Sequence, residues 1–186
     1  MIVCCFHTGG PYAVEADRLR ASLDRLGLLY RIDEVPCRGS WDRNILITPE
    51  YIRDVMQATA GPVLYVDADA EFHSVPEFHD GFDIAVHYLK GRELLDGTMW
   101  LANNSRSRHL VDQWCSEVRE GEWEQKTLER ILRRRPDVRV NRLGPEMCYI
   151  FDTSKRLHPD VVPVIEHHQA SRRLKDEVQS QVGNNR

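Results

Sequence analysis

Apolar and polar positions along the 186-residue chain switch repeatedly between two periods. Ile2-Val3-Cys4-Cys5-Phe6 is a short continuous apolar run that predicts a buried strand, and Gly9-Gly10-Pro11 turns the chain out of it. Ala16, Leu19, Leu23 and Leu26 then recur at steps of three and four, predicting a helix that Gly27 stops. Residues 28–35 read as a second strand, followed by a polar loop that contains Trp41. Thr48-Pro49-Glu50 predicts a helix start, with the Thr48 hydroxyl as cap, proline at the first helical position and an acid at the positive end of the dipole. Ile52, Val55, Met56 and Thr59 share one face of that helix, and Gly61-Pro62 ends it.

Val63-Leu64-Tyr65-Val66 is the most strand-like run of the chain, and it ends in Asp67-Ala68-Asp69. Residues 82–87 and 98–102 predict two further strands. Leu110, Trp114 and Val118 mark a helix before Gly121; Trp123, Leu128, Ile131 and Leu132 mark another that runs up to Pro136. Val161, Val162, Val164 and Ile165 predict a late strand, which Pro163 confines to an edge or a sheet end. Strands alternating with helices predict an α/β fold with a mostly parallel central sheet flanked by helices. We assign residues 1–178 to one domain and the polar stretch 179–186 to a disordered tail.

Charge narrows the partners. The chain carries 25 basic and 29 acidic residues, a formal charge of -4, which argues against a broad nucleic-acid or anionic-lipid surface. No apolar run approaches the ~20 residues that span a bilayer, and the opening apolar run lacks the basic leader and length of a signal peptide. We therefore expect a cytoplasmic protein without a transmembrane segment. Cys4, Cys5, Cys37, Cys115 and Cys148 are odd in number and show no two-residue spacing, so reduced thiols are expected rather than a zinc site.

Ligands of open α/β sheets bind beyond the carboxyl ends of strands, where Asp67 and Asp69 stand. Two carboxylates one residue apart on extended chain point the same way, and hard oxygen ligands suit Mg2+ or Mn2+ with positions left for phosphate oxygens. The plainer reading has these acids capping a turn. A phosphatase of the haloacid dehalogenase type also begins with Asp-x-Asp, but on its first strand and with Thr or Val two residues after the second acid; here residue 71 is Glu. His167 and His168 follow the late strand, and neighbours on extended chain alternate, so one of them at most faces a given site.

The segment Leu64-Tyr65-Val66-Asp67-Ala68-Asp69-Ala70 resembles the DxD segment of GT-A glycosyltransferases, a Rossmann-like family. Further segments in family order strengthen the resemblance over about residues 1–175. Phe6-His7-Thr8-Gly9-Gly10-Pro11-Tyr12-Ala13 is similar to the first-strand loop, and Leu95-Asp96-Gly97-Thr98-Met99 to the segment lining the sugar pocket. Glu124-Gln125-Lys126-Thr127-Leu128 is similar to the DQxxL stretch of retaining members, with Glu in place of Asp, and Val164-Ile165-Glu166-His167-His168 offers the C-terminal histidine.

The resemblance implies a metal-dependent transferase that moves a sugar from a nucleotide-diphosphate donor to an acceptor hydroxyl. It implies Asp67, Asp69 and His167 as ligands of Mn2+ or Mg2+, with His168 as the alternative. It implies Thr8, Tyr12, Asp67, Gly97 and Thr98 as donor-binding residues. Gln125 would lie beneath the anomeric carbon and favour retention, whereas Glu124 or Asp96 would supply the base of an inverting enzyme. Thr48 replaces a lysine common at that place, leaving Arg53, Arg172 or Arg173 to neutralise phosphate. Trp41 with Asn44 is read either as a wall of the donor pocket or, for the loop tryptophan, as simply packed. A nucleotide-sugar binder without catalysis is the alternative of a different class.

Overall fold

A computed structural model describes residues 1–170, Arg172 and Leu174; the expected tail 179–186 and Arg173 lie outside the described residues. In chain order, β1 (Ile2–His7) leads into α1 (Pro11–Leu26), β2 (Tyr30–Glu34), the short α2 (Trp41–Asn44), a 3-10 turn (Ile45–Ile47) and α3 (Thr48–Ala58). Next come β3 (Val63–Val66), β4 (Ala70–Phe72), β5 (Ile84–Leu89), β6 (Glu93–Leu101), α4 (Ser105–Glu117) and α5 (Glu124–Arg134). The chain continues through β7 (Val140–Leu143), a second 3-10 turn (Pro145–Met147), β8 (Tyr149–Ile150), α6 (Phe151–Leu157) and β9 (Ile165–His167).

Six strands form a sheet in the order β2-β1-β3-β6-β5-β7. β1 pairs parallel with β2 and β3, β5 pairs parallel with β7, and among these strands β6 alone runs against both of its neighbours. The expected mostly parallel α/β sheet flanked by helices is therefore the observed architecture. Alternation along the central strands sorts their side chains onto two apolar faces. Cys4 and Tyr65 meet Ile52 and Val55 of α3, with Trp114 of α4 and Leu128 of α5; Val3, Cys5, Leu64 and Val66 meet Leu19 and Leu23 of α1 on the other side. β3 is covered on both faces, which is why its sequence is an unbroken apolar run.

A second, three-stranded sheet in the order β4-β9-β8 adjoins the carboxyl end of β3. It corrects the reading of the late strand. Residues 161–164 are not strand, Val162 is 81% exposed, and β9 begins only after Pro163 and lies between two partners rather than at an edge. Proline has no N–H to give a ladder, so pairing starts beyond it. Other expectations shift as well. Residues 82–87 and 98–102 belong to one hairpin whose second strand starts at Glu93, and Trp41 opens a short helix capped by Ser40. Thr48 is not a cap, because the preceding 3-10 turn is already helical at Ile47 and runs straight into α3. The sequence reading marked none of β4, β7, β8 and α6; β7 is an edge strand in which two of four residues are polar.

All five cysteines are free thiols, three of them buried. Among the described residues no helix is long and apolar enough to cross a membrane.

The far end of β6 is held by Asn103, a residue the periodicity does not mark. It sits in the left-handed region at φ 55, with its amide nitrogen within 3.1 Å of the Met56, Thr59 and Gly61 carbonyls. Asn103→Ala removes these three hydrogen bonds and strains the backbone, so urea unfolding should show a loss of about 2–4 kcal/mol. Asn103→Gly should recover about 1 kcal/mol of that loss; equal losses for the two variants would show that the left-handed backbone contributes nothing.

Candidate active site

The backbone N–H of Asp67 donates to the Gly97 carbonyl at 2.9 Å, one residue past the end of β3. Ala68 and Asp69 then turn the chain, and Ala70 N–H closes the turn on the Asp67 carbonyl at 3.0 Å. The two carboxylates thus converge from a turn rather than from the extended chain that alternation predicts. The second sheet supplies the third group: β4 and β9 pair antiparallel with Ala70 opposite His167, which brings the His167 ring beside Asp69. Ligand atoms of Asp67, Asp69 and His167 all lie within 4.8 Å of one another.

Each of these side chains is braced. Asp69 Oδ2 accepts the Ala170 N–H at 2.7 Å, and its Oδ1 lies 3.3 Å from His167 Nδ1. Tyr65 donates its hydroxyl to Asp67 Oδ1 at 3.2 Å. His167 Nε2 lies 2.8 Å from the hydroxyl oxygen of fully buried Thr98, which fixes the ring with Nδ1 toward Asp69; a metal ion would replace the Nδ1 proton there while Nε2–H donates to Thr98, a common arrangement behind a metal-binding imidazole. His168 turns elsewhere and pairs with Glu71 at 3.0 Å. Gly97 leaves the room they need: a Cβ there would stand 3.0 Å from Asp67 Oδ2 and 3.4 Å from His167 Cε1.

The trio forms part of the wall of a cavity of about 530 Å³. Thr8 comes to it from the β1–α1 connection, Tyr12 from the first turn of α1, Asp96 and Gly97 from β6, and Glu124 and Gln125 from the start of α5. Thr98 lies behind the wall, so its reach is to His167 rather than into the cavity. Of the arginines considered for phosphate, Arg172 lines the cavity and bonds Asp152 at 2.8 Å, while Arg53 is not in the wall and pairs with its neighbour Asp54. Trp41 and Asn44 line the cavity. The sequence reading missed Tyr65, Glu93 and Trp123; Tyr65 carries a signal in hindsight, standing two residues before Asp67 on the same face of the chain.

Crowding of acids dominates the electrostatics. Burial against the cavity wall, helped by the Asp69 charge, pushes Asp67 up to about 6 although its carboxylate opens into the cavity. Burial and the Asp67 charge push Asp96 to about 7, and burial with the Asp96 charge pushes Glu124 to about 10. Asp69 goes the other way: burial opposes its charge, but His167 and the Ala170 N–H hold it below the usual range. Burial and the two aspartates push Tyr12 to about 12, and among the described residues its hydroxyl has no hydrogen-bond partner. Asp96 Oδ2 is likewise buried and unpaired. Such orphaned atoms, next to two carboxylates and an imidazole, fit a divalent cation and a polyhydroxylated ligand.

Raised carboxylates bind more protons folded than unfolded, so they lower stability as pH climbs from the unfolded value through the folded one. In EDTA the melting temperature should therefore fall between about pH 5 and pH 8. Glu124→Gln should flatten this fall and raise the melting temperature at pH 8 by a few degrees; a variant with the wild-type slope would show that Glu124 ionises freely.

No protein-family model matches the sequence, and no curated protein matches it. Among solved structures the fold matches the crystal structure of a glycosyltransferase involved in the glycosylation of the major capsid of PBCV-1. The TM-score is 0.73 over 96% of this chain and 98% of that one, at 14% sequence identity. The chain thus shares the fold of a glycosyltransferase along nearly its whole length.

Proposed function

We propose that this protein is a divalent-metal-dependent glycosyltransferase that moves a sugar from a nucleoside diphosphate sugar to an acceptor hydroxyl, with retention of configuration. The observation that carries the proposal is the convergence of Asp67, Asp69 and His167 within one cavity at the carboxyl end of β3. The glycosyltransferase fold of the neighbour supports it. Asp67, Asp69 and His167 would hold the Mn2+ or Mg2+ ion. When bound, that ion supplies Lewis-acid charge that offsets the charge developing on a diphosphate leaving group.

The chain's own residues do the remaining work by positioning and electrostatics. Thr8 and Tyr12 hold the nucleoside, Tyr12 donating its otherwise unpaired hydroxyl. Thr98 and the Ala170 N–H keep His167 and Asp69 in place, and Gly97 keeps the floor open for the sugar. Asp96 Oδ2, unpaired at the wall, accepts from a donor-sugar hydroxyl. An inverting reaction needs an ionised base; Asp96 is assigned to the donor sugar, and burial and the Asp96 charge favour the neutral form of Glu124. Gln125, a neutral dipole beside it, is suited to support an oxocarbenium-like centre.

Asp69→Asn tests this assignment. The amide keeps an acceptor for Ala170 but is a neutral, weaker ligand for a hard dication. Turnover of the donor selected by a thermal-shift screen of nucleotide sugars should fall at least a hundredfold, about 2.7 kcal/mol of transition-state stabilisation. The melting temperature in EDTA should stay within a few degrees of wild type. His168→Ala, which removes only the Glu71 partner, should retain at least about half of the turnover. A native Asp69→Asn protein with wild-type turnover would overturn Asp69 as a ligand.

A further inference from the structure

A half-exposed tryptophan stands at the mouth of the cavity. Trp123 is 50% exposed, lines the cavity and immediately precedes Glu124. Its extended backbone, φ -66 and ψ 133, places it ahead of the first helical turn and off the apolar face of α5, which Leu128, Ile131 and Leu132 form. The ring meets that of Trp41, the first residue of α2, at 6.1 Å and 81°. Two separate helix starts therefore build a corner of perpendicular indoles at the entrance of a polar site.

A lone exposed aromatic needs no explanation, but this one has chemistry beside it. Glu93, its carboxylate half-exposed and 3.9 Å from the Lys126 ammonium, lines the same cavity. A carboxylate sharing a cavity with an exposed indole suits a pyranose: a hydroxyl donates to the acid, while the face of C–H bonds, slightly positive, settles on the negative face of the ring. On the reading above the diphosphate needs the cation at the Asp67-Asp69-His167 trio, which leaves the corner to the acceptor.

Resting on the glycosyltransferase reading above, we propose that the Trp123–Trp41 corner is the acceptor subsite and that the acceptor is a saccharide, its ring stacked on Trp123. A pyranose held there presents a hydroxyl toward Glu124 and Gln125, the next two residues of the chain. The subsite thus sets acceptor class, while the nucleoside end of the cavity sets donor class.

The test compares wild type, Trp123→Ala and Trp123→Phe with the selected donor and Mn2+. Acceptors are the methyl α- and β-glycosides of glucose, galactose, mannose, xylose, rhamnose and fucose, with a Ser/Thr-rich peptide as the competing class. The expected result is transfer to at least one glycoside, an acceptor KM raised tenfold or more by Trp123→Ala, and recovery of most of that loss by Trp123→Phe. The dissociation constant of the free nucleoside diphosphate should stay within twofold in both variants. Transfer to the peptide alone, or an unaltered acceptor KM, overturns the subsite while leaving the glycosyltransferase reading intact. A matching loss of nucleotide affinity also overturns it, because the corner would then hold the base. Wild-type protein that binds no nucleoside diphosphate overturns the glycosyltransferase reading, and the subsite falls with it.

Discussion

Asp67, Asp69, Asp96 and Glu124 share one cavity at the carboxyl end of the central sheet, and the repulsion between them is what the surrounding structure has to manage. Burial alone would push every one of them toward the neutral form. Only Asp69 escapes, held in its charged form by His167 and the Ala170 N–H. That rescue depends on the β4–β9 pairing, since the opposition of Ala70 to His167 brings the imidazole to the acid. The second sheet is small, yet without it the aspartates would face one another without the imidazole that now lies beside Asp69. A site built this way is strained toward accepting positive charge, which is the physical content of the metal-dependent reading.

The central sheet was legible because its signals are local. Unbroken apolar runs at 2–6 and 63–66 belong to strands covered on both faces, and three- and four-residue spacing marks the helices that cover them. The second sheet was not legible in the same way. β4 and β8 are three and two residues long, too short for a period to show, and β9 hides behind Pro163, whose neighbouring valines look more strand-like than Ile165-Glu166-His167 does. β7 at the sheet edge, Val140-Asn141-Arg142-Leu143, has no period-two alternation to read.

Similar limits apply to the site. Asp67 and Asp69 stand out because they follow the clearest strand, but their convergence comes from a turn and from a histidine far along the chain, which only tertiary pairing supplies. Local spacing separated His167 from His168 only by saying that one of the two faces the site; contact with Asp69 and Thr98 on one side, and Glu71 on the other, shows which way each ring points. Trp123 escaped notice because helical spacing counted it with the apolar residues of α5, although it sits just ahead of the helix with its ring half in solvent.

The central claim is that the cavity takes a nucleoside diphosphate through a divalent cation held by Asp67, Asp69 and His167. Titration calorimetry of UDP, GDP, ADP and CDP against the wild-type protein, in Mn2+ and again in EDTA, tests it most directly. The account predicts that one of them binds in Mn2+ and that chelation weakens its affinity by about a hundredfold or more, the loss expected when the charge bridging acid and phosphate is removed. An unchanged dissociation constant in EDTA would contradict it.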